Sequence, residues 1–99
     1  MVTVIAKIRV VPGKEAEFEQ AARDMIAHVR ANEPGTRTYV LHRAAGNPAE
    51  FLFYERYDDE AAFAAHGGSD AIRRFFGVTG SMAEGRPEIT LYQEVDGKQ

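Results

Sequence analysis

The stretch that decides the fold runs from Glu33 to Phe76: it reads EPGTRTYVLHR over residues 33–43, FLFYERY over 51–57 and DDEAAFAAH over 58–66. Two segments rich in aromatic and β-branched residues flank Ala44-Ala45-Gly46-Asn47-Pro48-Ala49, where Gly, Asn and Pro favour a hairpin loop. The pattern therefore predicts two antiparallel strands, over residues 37–43 and 51–57, followed by a helix.

Side chains in these two predicted strands alternate between faces. In the first strand, Tyr39 and Leu41 are opposite in phase to Thr38, Val40 and His42. In the second strand, one face carries Phe51, Phe53, Glu55 and Tyr57, and the other carries Leu52, Tyr54 and Arg56. Because this second strand is apolar on both faces, we expect it to be central in the sheet.

Upstream, a strand and a helix are predicted. Residues 2–11 alternate with period two and stop at Pro12-Gly13. From Lys14 to about Asn32 the period becomes helical, with an apolar stripe of Phe18, Ala22, Met25 and Val29. Pro34 ends this helix, because proline disfavours the α conformation in the residue before it.

Downstream, either Asp58 or Asp59 caps a second helix that ends at Gly67-Gly68. Ser69 can cap one or two further helical turns over residues 70–76. A loop over 77–87, a strand over 88–95 and a tail over 96–99 complete the chain.

Strand–helix–strand repeated twice predicts an α+β, ferredoxin-like β-α-β-β-α-β fold with a four-stranded antiparallel sheet. We expect one domain over residues 1–99, with its core in about 2–95. The helices can cover only one face of the sheet, yet neither face is polar. The sequence therefore predicts a homodimer through the open sheet face.

Composition narrows the classes of function. The 99 residues carry a net charge of −3 with no concentrated basic face, which argues against binding nucleic acid. No apolar run is long enough for a membrane span, and the first residues lack the pattern of a signal peptide. The absence of cysteine rules out thiolate chemistry and fits a cytoplasmic protein.

Several side chains are candidates for chemistry. His66 is suited to act as a general base, although a histidine there could simply interact with the helix C-terminus. His42 could take the same role or line the dimer interface. Arg56, beside Tyr54, could hold an anionic oxygen or pair with Glu94 on a neighbouring strand. For Glu55 we expect an arginine or lysine opposite it, from the partner protomer.

No cofactor site is predicted. The three histidines are too far apart in sequence for a metal motif, and neither a phosphate-binding loop nor a G-x-S-x-G elbow is present. The sequence predicts no metal and no bound cofactor.

Three segments together resemble the antibiotic biosynthesis monooxygenase domain family, a branch of the dimeric α+β barrel superfamily. They are Glu33-Pro34-Gly35-Thr36 with Tyr39, then Phe53-Tyr54-Glu55-Arg56-Tyr57, and then residues 59–66 with Ser69. The resemblance spans about residues 2–95. It departs from the family at Tyr57, where members often carry tryptophan. The haem-degrading branch is less similar, since it needs a histidine where this chain has Phe75 or Phe76, and an asparagine in the first strand.

The resemblance implies a cofactor-independent oxygenase that oxidises a small phenol or quinol with dioxygen. Under this hypothesis His66 and Tyr57 are the catalytic residues, and Tyr54, Arg56, His42 and Phe63 bind the substrate. The alternative is a non-oxidising member of the family, either an isomerase of small hydroxyketones or a ligand-binding dimer.

Overall fold

The computed structural model describes all 99 residues and contains four strands and three helices. In chain order they are β1 (Val2–Arg9), α1 (Glu15–Asn32), β2 (Thr36–Ala44), β3 (Asn47–Tyr57), α2 (Glu60–Gly67), α3 (Asp70–Thr79) and β4 (Glu88–Gln93). The predicted ferredoxin-like α+β fold is confirmed, and the helical turns predicted after Ser69 form the separate helix α3.

The strands form one antiparallel sheet in the order β2-β3-β1-β4. Tyr57 is paired with Val2 and Glu55 with Val4 across β3 and β1. Directly paired residues point to the same side of a sheet, so this register places the even-numbered apolar residues of β1 beside the odd-numbered ones of β3. The predicted alternation and the central position of β3 are both confirmed.

The hydrophobic core lies between one face of the sheet, here called the covered face, and the helices. The apolar stripe predicted for α1 is buried throughout and packs on β1, β3 and α3. Phe18 is completely buried, with its ring 4.8 Å from that of Phe51 and 6.0 Å from that of Phe75. Burying an aromatic side chain of this size contributes roughly 1.5–3 kcal/mol, so these rings help to hold the helices on the sheet.

The opposite face of the sheet, here called the open face, carries no helix. Val40 and Tyr92 are about half exposed there, and Ile5, Leu52 and Tyr54 are partly exposed. The helices also stop short of β4. Ile89 and Leu91 are aligned with Ala6 and Val4 on the covered face, yet they are 51% and 54% exposed.

Several predicted boundaries were wrong. The hairpin loop is only Ala45-Gly46, because both strands extend further and Ala44 pairs with Asn47. Helix α3 continues to Thr79, whose hydroxyl donates to the Phe75 carbonyl. β4 ends at Gln93 rather than at residue 95.

No helix combines the length and the apolar character needed to cross a membrane.

Candidate functional site

The sheet separates the predicted site residues into two groups. His66 and Tyr57 are buried on the covered face, with Phe63 against Tyr57 at a ring separation of 5.2 Å. By strand alternation and register, Tyr54, Arg56 and His42 lie on the open face. The six residues therefore cannot form a single site within one protomer.

Helix α2 places His66 on the covered face. Asp59, not Asp58, caps the helix, since its side chain accepts a hydrogen bond from the Ala62 amide at 2.8 Å. The Ser69 hydroxyl donates to the His66 carbonyl at 2.8 Å and caps α3. His66 thus sits at the junction of two capped helices, and this junction directs its ring inward, where it is 5% exposed.

A carboxylate that the sequence analysis did not single out fixes the orientation of this ring. His66 Nδ1 lies 2.8 Å from Glu33 Oε1, and the Thr36 hydroxyl donates to the same oxygen at 2.9 Å. A carboxylate oxygen can only accept, so Nδ1 carries the proton and Nε2 has the free lone pair. Glu33 comes from the end of α1, 33 residues away in sequence.

The second carboxylate oxygen of Glu33 has no partner. Oε2 is buried without a hydrogen bond, and His28 Nε2 lies 3.9 Å from it. Leaving a buried acceptor unsatisfied is unfavourable by roughly 1–3 kcal/mol, which makes this oxygen a natural acceptor for a ligand donor.

Tyr57 and Glu55 form a second buried pair. The Tyr57 hydroxyl donates to Glu55 Oε1 at 2.5 Å, and the Tyr57 side chain is completely buried. Burial raises the pKa of the Glu55 carboxyl to about 7, an effect that the Tyr57 hydrogen bond opposes and the Glu33 charge reinforces. The cation expected opposite Glu55 is therefore not its partner in the protomer, because the phenol takes that position.

Tyr39 joins the two pairs, although from sequence it is only a residue on one face of β2 and part of the family resemblance. Its ring is 5.1 Å from that of His66 and stacks on Phe53 at 4.6 Å. Burial, followed by the charges of Glu55 and Glu33, raises the pKa of the Tyr39 phenol, so it stays protonated at neutral pH. The ring of Tyr57 lies 5.5 Å from that of His66.

A cleft between α1 and β2 gives the nearest access to these groups. It consists of two cavities of about 480 and 330 Å³ that share Ile26, Arg30 and Tyr39 in their walls. The smaller one is also lined by Glu33. Neither His66 nor Tyr57 lines any of the five principal cavities, so Tyr39 and Glu33 separate the α1–β2 cleft from His66.

The open-face group has a different character. Arg56 donates to Glu94 at 2.8 Å, so the cross-strand pairing considered from sequence is present. The Nε atom of Arg56 is buried without a partner. A cavity of about 500 Å³ is bounded by Tyr54, Arg56 and the C-terminal segment. The Nδ1 atom of His42 lies 3.2 Å from the Val40 carbonyl oxygen.

No group of three His, Asp or Glu side chains is arranged to hold a metal ion.

Comparisons with known proteins agree with this architecture. A family model described as antibiotic biosynthesis monooxygenase matches residues 1–78. The Bacillus subtilis protein named "Putative monooxygenase YcnE" is 36% identical over 66 residues, which are 67% of this chain and 68% of that protein.

Solved structures extend the similarity to nearly the whole chain. A Caulobacter crescentus structure described as a "putative antibiotic biosynthesis monooxygenase" has a TM-score of 0.91 and 34% identity, covering 96% of this chain and 90% of that one. A conserved protein from Methanosarcina mazei has a TM-score of 0.88 and 26% identity, with coverage of 95% and 92%.

Proposed function

The chain belongs to the antibiotic biosynthesis monooxygenase family, and from that premise we propose that it oxidises a small phenol or quinol with dioxygen, without a bound cofactor. The family resemblance read from residues 33–39, 53–57 and 59–69 is confirmed by the match over residues 1–78. The reaction and its substrate class are what the family resemblance implies, and the side chains around His66 support them.

The observation that carries the proposal is the His66–Glu33 pair. The carboxylate accepts from Nδ1 and leaves Nε2 as the basic atom, which is the arrangement that makes an imidazole an effective general base. Loss of a phenolic proton to Nε2 would produce an electron-rich phenolate. The positive charge gained by the imidazole would be stabilised by Glu33 at 2.8 Å.

The substrate itself supplies the electrons in this scheme. A hydroquinone anion reacts with dioxygen at a ring carbon, where one oxygen atom is retained and the other leaves as water. The product is a hydroxylated quinone, so four electrons pass from the organic substrate to dioxygen and no external reductant is needed. The protein's contribution is proton removal and exclusion of water.

The surroundings of His66 favour catalysis over simple ligand binding. A binding-only protein would be expected to turn His66 towards solvent or backbone, whereas here its ring meets a carboxylate and two tyrosines. Polar groups also reach the smaller cavity from both a helix and a strand, through Glu33 and Thr36.

The test is oxygen uptake by the purified protein with a panel of hydroquinones. His66→Gln removes the base and should lower kcat about 100-fold or more. Glu33→Gln should lower it less, because an amide oxygen can still accept from Nδ1 and only the charge that stabilises the imidazolium is lost. His42→Gln is the matched control across the sheet and should retain activity. If wild type consumes no oxygen with any phenol, the proposal is wrong; if only His42→Gln is inactive, the base lies on the open face.

A homodimer through the open face is part of the same proposal. Support comes from the partly exposed Leu52 and Tyr54, whose apolar surface a second copy would cover. Leu52→Glu would place a charge in this interface. Light scattering at micromolar concentration should give a dimer for wild type and a monomer for the variant. A monomeric wild type would refute the dimer and leave the base assignment intact.

We further propose that the protein works in the cytoplasm, since the lack of cysteine suits a reducing compartment.

A further inference from the structure

The α1–β2 cleft has an uneven distribution of charge. Four arginines line it, whereas Glu19 and Glu33 are its only carboxylates. The whole chain has a net charge of −3, so a concentration of arginines at one cleft is not a consequence of composition. A cleft lined mainly by one sign of charge attracts ligands of the opposite sign.

Ion pairs neutralise only part of this charge. Glu19 pairs with both Arg43 and Arg23, the second at 3.6 Å, so one carboxylate serves two guanidinium groups. Arg37 is paired with Asp58 at 2.5 Å. Arg30 takes part in none of the ion pairs of the protein, although it lines both cavities of the cleft.

Apolar side chains form the rest of the larger cavity. Ile26 from α1 and Leu41 and Phe51 from the sheet contribute walls, and Tyr39 stands where the two cavities meet. Arg43 lies over the Phe51 ring, 5.9 Å from its centroid. A volume of about 480 Å³ bounded by aliphatic and aromatic groups suits a single substituted ring.

We propose that Arg30 binds a carboxylate on the substrate, so that the substrate class is a phenol or quinol bearing an acidic group. The inference rests on the proposed function and adds the recognition of an anion to it. A guanidinium offers parallel N–H donors that match both oxygens of a carboxylate. Arg30 is free to make this contact because no protein carboxylate occupies it.

The charges also set the direction in which the substrate binds. Glu33 lines the smaller cavity and would repel a carboxylate, so the acidic group lies in the larger cavity near Arg23 and Arg30. The phenolic hydroxyl then points towards Tyr39 and the Glu33–His66 pair. Arg30 is thus a specificity-determining residue that aligns the reacting end with the base.

The test is a binding comparison between 2,5-dihydroxybenzoate and 2,5-dihydroxybenzamide, two hydroquinones that differ in the charge of one substituent. Dissociation constants are measured by NMR titration of the intact protein at low ionic strength. Wild type should bind the benzoate about tenfold more tightly than the amide, and the preference should shrink in high salt.

Arg30→Gln should abolish this preference while keeping the affinity for the amide. The matched control is Arg86→Gln, which removes another exposed arginine without an ion pair, outside the five principal cavities, and should keep the preference. Equal binding of both probes by wild type, no detectable binding of the benzoate, or a preference that survives in Arg30→Gln would each overturn the proposal.

Failure of the proposed function gives a different result. Selective binding of the benzoate without oxygen uptake by any phenol would establish the anion site and refute the monooxygenase. Oxygen uptake with neutral hydroquinones and no preference between the probes would support the monooxygenase and refute the anion site.

Discussion

On the covered face of β3, Glu55 and Tyr57 are sealed from water and bonded to each other, whereas on the open face Tyr54 and Arg56, their immediate neighbours in sequence, are partly exposed. Both faces carry a phenol and a charged group at alternate positions. The covered pair is held in a rigid, poorly solvated setting. On the open face, Arg56 forms an ion pair with Glu94, and both residues are accessible to a second molecule. What a tyrosine or a charged residue of this strand can do chemically therefore depends on the face it occupies and not on its residue type.

The largest expected difference between the faces is in packing. Tyr57→Ala would remove a completely buried ring and should lower the free energy of unfolding by about 3–5 kcal/mol. Tyr54→Ala should lower it by about 1 kcal/mol or less in the protomer, because its ring is partly exposed. Urea unfolding of both variants gives the comparison. Equal losses at low protein concentration would contradict it, and a loss at Tyr54 that grows with protein concentration would report the dimer.

The next difference is in pH dependence. The pKa of Glu55 is raised to about 7 in the folded protein, so the folded state binds its proton more tightly than the unfolded state. Its contribution is fully present below the ordinary carboxyl pKa of about 4.5 and is lost as pH rises through 7. Wild type should therefore lose on the order of 2 kcal/mol of stability across this window.

Glu55→Gln should remove that loss, since the amide does not titrate. Glu94→Gln on the open face is the matched control and should keep the wild-type slope between pH 4.5 and 7. Denaturant midpoints measured at several pH values decide the matter. An unchanged slope in Glu55→Gln would show that another group is responsible.

A third comparison concerns close packing at the turn before β2. A Cβ built on Gly35 would lie 2.7 Å from the Ala62 Cβ of α2, whereas one on Gly46 at the β2–β3 hairpin meets nothing within 4 Å. Gly35→Ala should therefore cost about 1–3 kcal/mol, with a shift of α2 and of His66. Gly46→Ala should be close to neutral. Thermal unfolding and the NMR resonances of His66 test this prediction. An unchanged melting temperature and unchanged resonances in Gly35→Ala would show that the turn accepts alanine without strain.

The smallest effect is expected for the ion pair on the open face. A double-mutant cycle with Arg56→Gln and Glu94→Gln should give a coupling energy of about 1 kcal/mol or less, because the Glu94 side chain is 41% exposed. A coupling of several kcal/mol in the protomer would mean that the open face is as well shielded as the covered face.

Alternation and capping made most of the fold predictable from sequence. Period two in β3 assigned Tyr57 and Glu55 to one face and Tyr54 and Arg56 to the other, because a strand leaves no other choice. The predicted hairpin loop is longer than the observed one. Asn47 and Pro48 are loop-forming residues, yet they begin β3, where Asn47 pairs with Ala44. Local propensity could not weigh the pairing of distant strands.

The site was only partly predictable. His66 was identified by its chemistry, but its partner Glu33 is 33 residues away and looked like a residue that merely ends α1. The sequence predicts one site from six residues, although strand alternation already divides them between the two faces of the sheet. The partner of Glu55 was missed for a similar reason: a side chain two positions along the same strand supplies it, rather than a cation from elsewhere.

The attachment of α2 to the turn before β2 has a consequence for timing. The Asp58 amide donates to the Gly35 carbonyl at 2.9 Å, Arg37 holds the Asp58 carboxylate, and Ala62 lies against Gly35. Because these three contacts hold α2 to the turn, an outward movement of the helix is a slow way to expose His66. Rotation of the single ring of Tyr39, which borders the α1–β2 cleft, is a smaller motion. Admission to the base should then follow the rate of one side-chain rearrangement and not that of a helix movement.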